Sequence, residues 1–490
     1  MKSWPIVLAG LVAIGAIATT IVFRNGWTLY YGDAEAHLTI ARRVIDSRTP
    51  GYDQIGTVWL PLPVAVTLPL VGNDRLWRSG LAGAIPSSVG FVFAGMFLFG
   101  AVRRLFGPLP AAAAAACFAL NPNVLYLQAT PMTEAIWFAG LMGLLYFWVR
   151  FAESPAVGFV FAAALANLAI SMTRYDGWFL IPFGFGFVLV TGGKRRLWLA
   201  LLFGSVASLG ALYWLAHNAW YFGNPLDFYN GPYSAKAIQG SASYPGKNDW
   251  AKAWLYVRSA SALCAGLGAV IVAAVGLPAV IGKRAWWPLL LLSLPPLFYI
   301  WSMHSSGNPI FIPTLWPKTY YNSRYGLAAW PLLALCAGAA VLWAPTRMRP
   351  MAAALVVLVA CAPWLLNPHP DSWVVWKESE VNSEARREWT HRTAEYLAAH
   401  YRRGTGIFGT LGDPAGAYRE AGIPFREVLQ EGNEPQWEAA AQRPDLFLNE
   451  EWAVAFAGDR VAKAAQRMHY ELVRSIAVKG ARTIEIYKRR

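Results

Sequence analysis

Long apolar runs recur along most of this 490-residue chain and constrain its fold more than any other feature. Each run has roughly 15 to 23 residues, close to the ~20 that a helix needs to cross ~30 Å of hydrocarbon. The composition agrees, because 56% of the residues are hydrophobic and only 14% are charged. The sequence therefore predicts a mainly α-helical, polytopic membrane protein.

The runs predict about eleven membrane-spanning helices. They are residues 5–23, 81–102, 109–127, 133–149, 156–172, 178–192, 197–216, 259–281, 286–303, 326–344 and 351–367. The first run is longer than the apolar core of a usual signal peptide, so we expect an uncleaved helix. Segment 60–71 is too short and too rich in proline to span, and is predicted to be a re-entrant or surface piece.

The charges predict the topology of these helices. Residues 1–370 carry 24 basic and 10 acidic groups, whereas residues 371–490 carry 18 of each. Basic residues cluster in alternate short loops, on the same side as Lys2, which the positive-inside rule makes cytoplasmic. The opposite, extracytoplasmic side then receives the first loop, loops 217–258 and 304–325, and the tail. We attribute the basic excess to topology and lipid phosphate, and expect no nucleic acid partner.

The polar tail predicts a second domain. Residues 1–370 form a transmembrane domain with a first outer loop at 24–80, and residues 371–490 form a small soluble extracytoplasmic α/β domain. Helices are expected at 378–400 and 459–468, and strands at 406–410, 446–448 and 483–487. Asp413 is expected to cap a short helix that ends at Gly422. Gly404-x-Gly406-x-x-Gly409 has the spacing of a dinucleotide-binding fingerprint. In that fingerprint the strand precedes the glycines, whereas here the predicted strand runs through them, so we expect no dinucleotide site.

Asp33, Glu35 and His37 follow the first apolar run and form the first group of candidate site residues. One interpretation is local: Asp33 caps a surface helix over residues 34–47, and Glu35 complements its dipole. The other is catalytic, with a carboxylate at the lipid–water boundary that accepts a proton from an incoming nucleophile. His37 lies four residues after Asp33, and two such residues do not make a metal site.

Glu134 and Asp176 are further acids at the outer ends of spans. Glu134 follows Thr130 and Thr133, either of which can cap the helix that begins there. Asp176 can pair with Arg174, while Tyr175 serves as an interfacial anchor. Because acids beside a bilayer are costly, a functional use is the alternative for both.

Lys318 and Arg324 are cations among aromatic residues in the outer loop 304–325. Ordinary snorkelling to the interface is one interpretation. Since the positive-inside rule disfavours cations on this side, we prefer a second one, in which they hold a phosphate group.

Together these residues resemble the GT-C superfamily of membrane glycosyltransferases, in the branch of the dolichyl-phosphate-mannose–protein mannosyltransferases and the aminoarabinose transferases of lipid A. The matching motifs occur in order over residues 1–345: Gly32-Asp33-x-Glu35, Pro131-Met132-Thr133-Glu134, Thr173-Arg174-Tyr175-Asp176-Gly177-Trp178 and Ser323-Arg324-Tyr325-Gly326-Leu327. Many relatives carry adjacent acids where this chain has Asp-x-Glu.

The resemblance implies transfer of a sugar from a polyprenyl-phosphate carrier to an acceptor on the extracytoplasmic face. It makes Asp33 the general base and Arg324 a ligand of the donor phosphate. Glu35 and Asp176 are grouped with Asp33 as catalytic residues. Lys318 and Arg174 are grouped with Arg324 as ligands of the donor phosphate. The residues expected to bind acceptor or sugar are Glu134, His37 and Tyr175. The sugar is expected to be mannose or another hexose or pentose, and the acceptor a protein, glycan or lipid.

The expected setting is a monomer in a bacterial plasma membrane, in contact with membrane lipids. No cofactor is assigned, and a divalent cation stays an open alternative. The rival function is a transporter or flippase of a lipid-linked or small polar substrate. Transporters often show internal repeats with paired broken helices near mid-membrane, and the acids here cluster at one face instead.

Overall fold

In a computed structural model, the protein is described over residues 3–240, 242–410, 412 and 414–490, and helices dominate these ranges. Up to residue 366 the helices are α1 (Ser3–Arg24), α2 (Gly32–Ile45), α3 (Leu62–Val71), α4 (Asp74–Ser79), α5 (Leu81–Phe106), α6 (Pro108–Leu120), α7 (Pro122–Leu127), α8 (Glu134–Glu153), α9 (Val157–Ser171), α10 (Asp176–Thr191), α11 (Arg196–Phe222), α12 (Asp227–Asn230), α13 (Ala235–Gln239), α14 (Trp250–Ala265), α15 (Leu267–Gly282), α16 (Trp286–Ser305), α17 (Trp330–Ala340) and α18 (Arg349–Leu366). The tail adds α19 (Val374–His400), α20 (Ala415–Ala421), α21 (Gln436–Gln442), α22 (Pro444–Phe447) and α23 (Arg460–Arg467).

The predicted apolar runs are all helical, but the expected count of eleven spans is not confirmed. Seven helices in the described ranges are long and apolar enough to cross a membrane, or eight if α14 and α15 form one broken span. These two helices meet at a 104° bend, where Gly266 has φ +77°. Helices α6, α9 and α10 are shorter than a span, and so is α3 in the segment predicted not to cross.

The chain forms two compact units. The first contains Met1–Asn25, Thr57–Pro63 and Ala84–Glu378, and the second contains Gly26–Gly56, Val64–Gly83 and Ser379–Arg490. The second unit thus combines most of the predicted first outer loop with the tail. The predicted domain boundary between residues 370 and 371 stays a prediction.

Glycines allow close helix packing in the first unit. A Cβ atom on Gly276 of α15 would lie 1.7 Å from the carbonyl oxygen of Cys336 in α17. One on Gly268 would lie 1.9 Å from the carbonyl oxygen of Val359 in α18. Small residues at such contacts let helix backbones approach closely, as is usual among membrane helices.

The second unit contains a five-stranded sheet. Its strands are β1 (Ile407–Gly409), β2 (Val428–Leu429), β3 (Trp452–Phe456), β4 (Glu471–Ile476) and β5 (Ile484–Lys488), in the order β2-β1-β3-β5-β4. Strands β2, β1 and β3 are parallel, while β5 is antiparallel to both β3 and β4. The buried face of α23, with Val461 and Ala465, packs in the same core as Phe408 and Trp437.

Most elements predicted in the tail are confirmed. The helix predicted at 378–400 begins earlier, at Val374, and the strands predicted at 406–410 and 483–487 correspond to β1 and β5. Gly422 ends α20 in the left-handed conformation. The strand predicted at 446–448 is wrong: Pro444 begins the short helix α22 there, and the strand follows at Trp452. Asp413 lies outside the described residues.

The contact between α15 and α17 gives a stability prediction. Gly276→Ala forces the two backbones apart, so we expect a loss of about 1 to 3 kcal/mol, typical of overpacking. The matched control is Gly282→Ala at the end of the same helix, where a Cβ meets no atom within 4 Å. Melting of the purified protein in detergent measures both variants. Equal melting temperatures for the two would contradict the close packing of α15 on α17.

Candidate functional site

Glu134 lies between two arginines in the first unit. Arg174 Nη1 is 2.8 Å from Glu134 Oε1, and Arg324 Nε is 3.3 Å from the same oxygen. Glu134 and Arg324 are only 3% and 7% exposed. Burial of an ion is costly unless a counter-ion and hydrogen bonds compensate it, so the three side chains stabilise one another. Three motifs that are distant in sequence therefore meet at one point.

Aromatic side chains surround this ion cluster. The Tyr299 hydroxyl contacts Arg174, whose Nε lies 3.0 Å away. The rings of Tyr299 and Tyr325 stack with centroids 4.6 Å apart, and the Arg174 guanidinium lies 5.2 Å from the Tyr325 centroid. Such cation–π contacts strengthen when water is excluded. The arginines are thus held in fixed orientations.

Asp176 begins α10 and is 1% exposed. Its Oδ1 accepts a hydrogen bond of 2.9 Å from the Trp137 indole, whereas Arg174 pairs with Glu134. Among the described residues, Asp176 Oδ2 and Glu134 Oε2 are buried without a hydrogen-bond donor. Buried carboxylate oxygens normally have donors, so these two acceptors are suited to receive one from a substrate hydroxyl.

Glu378 is a member of the cluster that the sequence did not reveal. Its Oε1 accepts from the Asn322 backbone N–H at 3.0 Å and lies 3.4 Å from Arg324 Nη1. Its Oε2 accepts from the backbone N–H of Ser323 at 2.6 Å and also from the Ser323 hydroxyl. Burial raises the pKa of Glu378, and Arg324 with these donors acts in the opposite direction.

Lys318 and Tyr175 differ from the buried cluster. Lys318 is exposed, in a turn where its φ is +60°. The Tyr175 hydroxyl donates to the Val58 carbonyl at 2.6 Å and accepts from the Trp214 indole at 3.1 Å, while its ring stacks on Phe228 at 4.9 Å. Tyr175 is thus fixed by two hydrogen bonds and a ring contact, whereas Lys318 is exposed.

Two motif glycines have a packing reason. A Cβ on Gly177 would lie 2.6 Å from the backbone nitrogen of Ser171, at the turn between α9 and α10. A Cβ on Gly326 would lie 2.4 Å from the carbonyl carbon of Ala260 in α14. Both glycines therefore allow the segments that contain Asp176 and Arg324 to pack closely against neighbouring backbone.

Asp33 lies in the second unit and does not cap its helix. Helix α2 runs over Gly32–Ile45, two residues earlier than predicted, and the extended Tyr31 (ψ 132°) takes the N-cap position. The predicted capping role of Asp33 is therefore wrong. Asp33 is half-buried in the first helical turn, where the positive end of the helix dipole favours the carboxylate.

Glu35 is buried and bound by two arginines of the tail. Arg386 Nη1 contacts Glu35 Oε2, and Arg419 Nη2 lies 3.0 Å from Oε1. Burial lowers the pKa of Arg419 to about 10, which still leaves the guanidinium charged at neutral pH. Both carboxylate oxygens of Glu35 are therefore occupied by cations.

The rest of α2 is more buried than its charges suggest. Arg42 and Arg43 are only 6% and 7% exposed. Arg42 pairs with Asp46 and Asp74 at 2.8 Å each, and Arg43 donates to the Gln54 carbonyl at 2.9 Å. His37 is half-buried on the same helix. Within the described part of the chain, no three His, Cys, Asp or Glu side chains are placed to hold a metal ion.

The role of Glu378 gives a second prediction. Glu378→Gln removes the carboxylate that faces Arg324 and places an amide N–H group among the backbone donors of residues 322 and 323. We expect a loss of about 1 to 3 kcal/mol, because a buried donor is left unsatisfied. Glu384→Gln, at an exposed position of the same helix, is the control. If both variants melt like the unmodified protein, Glu378 does not hold the cluster.

Comparisons with known proteins agree with the sequence resemblance. Residues 75–221 match the family model described as dolichyl-phosphate-mannose-protein mannosyltransferase. No curated protein sequence matches the chain significantly.

Solved structures share the fold at low sequence identity. The crystal structure of ArnT from Cupriavidus metallidurans bound to undecaprenyl phosphate aligns with a TM-score of 0.54 and 14% identity, over 96% of this chain and 97% of that chain. The apo state of the same protein gives 0.52 and 15%, with the same coverage. The Archaeoglobus fulgidus oligosaccharyltransferase tethered with an acceptor peptide gives 0.50 and 12%, over 97% of this chain and 74% of that chain. The chain therefore shares the fold of ArnT and of the oligosaccharyltransferase, its long apolar helices are those of a multi-pass membrane protein, and residues 75–221 resemble the protein mannosyltransferase family.

Proposed function

We propose that the chain transfers a sugar from a polyprenyl-phosphate carrier to an acceptor on the extracytoplasmic face of a bacterial plasma membrane. Mannose or another hexose or pentose is the proposed sugar, and a protein, glycan or lipid the acceptor. Support comes from the family match over residues 75–221 and from the fold shared with a structure bound to undecaprenyl phosphate. We propose that the working unit is a monomer.

The observation that carries the assignment of a general base is the difference between Asp33 and Glu35. Glu35 is buried between two guanidinium groups, which stabilise its ionised form and occupy both of its oxygens. Asp33 lies in the same helical turn and is half-buried, so its side chain is more exposed than that of Glu35. A general base must reach the proton of the acceptor hydroxyl, and of the two carboxylates Asp33 is the better suited to do so.

The cations are assigned to the departing phosphate. Polyprenyl phosphate is an activated leaving group, so charge that develops on the phosphate must be stabilised as the sugar leaves. Arg324 and Arg174 offer guanidinium groups fixed by Glu134 and Tyr299, and Lys318 offers an exposed ammonium. Arginine binds phosphate with a rigid fork and lysine as a point charge, so both types suit this task.

The buried acceptor atoms are assigned to the sugar or acceptor hydroxyls. Glu134 Oε2 and Asp176 Oδ2 have no donor within the described ranges, and a sugar hydroxyl is a donor of the right kind. We also propose His37 and Tyr175 as residues that bind acceptor or sugar. A transporter or flippase of a lipid-linked substrate remains the alternative function.

Release of the carrier distinguishes the two functions. Purified protein in detergent is incubated with polyprenyl phosphates that carry mannose, glucose or arabinose, and with a Ser/Thr-rich peptide, an oligosaccharide and lipid A as acceptors. An enzyme releases polyprenyl phosphate without a sealed compartment, whereas a transporter leaves the donor intact. No release with any pair, together with transport of the donor in sealed vesicles, would contradict the proposal.

The base assignment predicts the effect of Asp33→Asn. We expect turnover to fall by roughly 100-fold or more, the usual contribution of a general base, while expression and melting are unchanged. Asp53→Asn is the control, because Asp53 is an exposed acid of the same unit. Full activity of Asp33→Asn would exclude Asp33 as the base. Loss of melting temperature together with activity would assign it a structural role.

A further inference from the structure

Arg386 binds the start of helix α2 at three points. Besides Glu35, it donates from Nη2 to the carbonyl oxygens of Leu29 and Tyr30, at 3.1 and 2.7 Å. These two carbonyls directly precede the N-cap residue Tyr31. A guanidinium presents its donors in a rigid plane, so three contacts fix the chain just before the helix relative to its first turn.

Arg419 holds the other oxygen of the same carboxylate. Its Nη2 contacts Glu35 Oε1 at 3.0 Å, and its Nη1 donates to the Arg78 carbonyl at 2.6 Å. Arg419 belongs to α20, and Gly416 of that helix faces Glu35. A Cβ on Gly416 would lie 2.2 Å from Glu35 Oε1, so the helix and the carboxylate are in close contact.

Further contacts of the tail hold the segments around α2. Arg387 donates to the Tyr30 hydroxyl at 3.1 Å, and its guanidinium lies 4.0 Å from the centroid of the Tyr30 ring. At the other end of the helix, the Asn433 amide donates to the hydroxyls of Ser47 and Thr49 at 2.8 and 2.9 Å. The tail thus binds both ends of α2 through polar groups that are mostly buried.

We propose that Arg386 and Arg419 are positioning residues: through Glu35 they fix the first turn of α2 and so orient the Asp33 carboxylate. This inference rests on the proposed function, in which Asp33 is the base, and it gives the tail a role in that reaction. Asp33 lies two residues before Glu35 in the same turn, so rotation of that turn moves both carboxylates together. A base that is displaced by about 1 Å loses much of its effect on the rate.

The variant Arg386→Gln tests the proposal. It removes the ion pair and both contacts of Nη2 with the carbonyl oxygens, and we expect kcat to fall by roughly 10- to 100-fold. KM for the polyprenyl-phosphate donor should stay within about twofold, since the donor is assigned to other residues. Arg386→Lys keeps the charge without the planar fork and should recover part of the rate. Arg392→Gln, an exposed arginine of the same helix, is the matched control.

Gly416→Ala tests the same contact without a change of charge. Alanine normally stabilises a helical position relative to glycine, by about 1 kcal/mol. Here the added methyl group displaces the Glu35 carboxylate, so we expect kcat to fall at least fivefold while melting stays close to that of the unmodified protein. This variant keeps the proposal testable if Arg386→Gln does not fold.

Hydrogen exchange gives a readout that does not depend on activity. Amides of residues 31–38 should exchange faster in Arg386→Gln and Gly416→Ala than in Arg392→Gln. If the unmodified protein releases no carrier, the proposed function is wrong. The exchange rates of residues 31–38 still show whether Arg386 fixes the first turn of α2. If it does release carrier, and Arg386→Gln and Gly416→Ala match the control in both kcat and exchange, the positioning role is overturned.

Discussion

The pairing of buried charge is the constraint on which both units depend. A carboxylate or guanidinium removed from water is stable only beside a counter-ion and with its hydrogen bonds satisfied. The first unit meets this condition by placing Arg324 between Glu134 and Glu378. The second meets it by placing Glu35 between Arg386 and Arg419. In each unit a central ion has two counter-ions: Arg324 in the first and Glu35 in the second. Loss of the central residue therefore removes a counter-ion from two ions at once.

The acids of the two units differ in how their carboxylate oxygens are bonded. Acids with both oxygens bonded, such as Glu35 and Glu378, fix the geometry of neighbouring elements. Asp176 keeps one oxygen without a donor in the described part of the chain, and Asp33 does not cap its helix. In the proposed reaction Asp33 is the base, Asp176 binds a sugar or acceptor hydroxyl, and Glu35 fixes the first turn of α2.

Local sequence predicted the helices and the candidate residues, but not their partners. Apolar runs of near-span length determine helices by hydrophobicity alone, so each predicted run is helical. The partners of Glu35 lie 351 and 384 residues away, and no local pattern identifies them. For the same reason, the local sequence does not indicate that Arg42 and Arg43 are buried against Asp46, Asp74 and Gln54. Errors at Asp33 and at residues 446–448 arose where one or two residues decide the start of an element.

A double-mutant cycle on Glu35 and Arg386 measures whether the two side chains act as one contact. Turnover and hydrogen exchange of residues 31–38 are measured for Glu35→Gln, Arg386→Gln and the double variant, beside the unmodified protein. If the two side chains act as one positioning contact, the double variant should lose little more activity than the more impaired single variant. If the fold-losses of the single variants simply multiply in the double variant, the two residues act independently, and the positioning of α2 through the Glu35–Arg386 contact is contradicted.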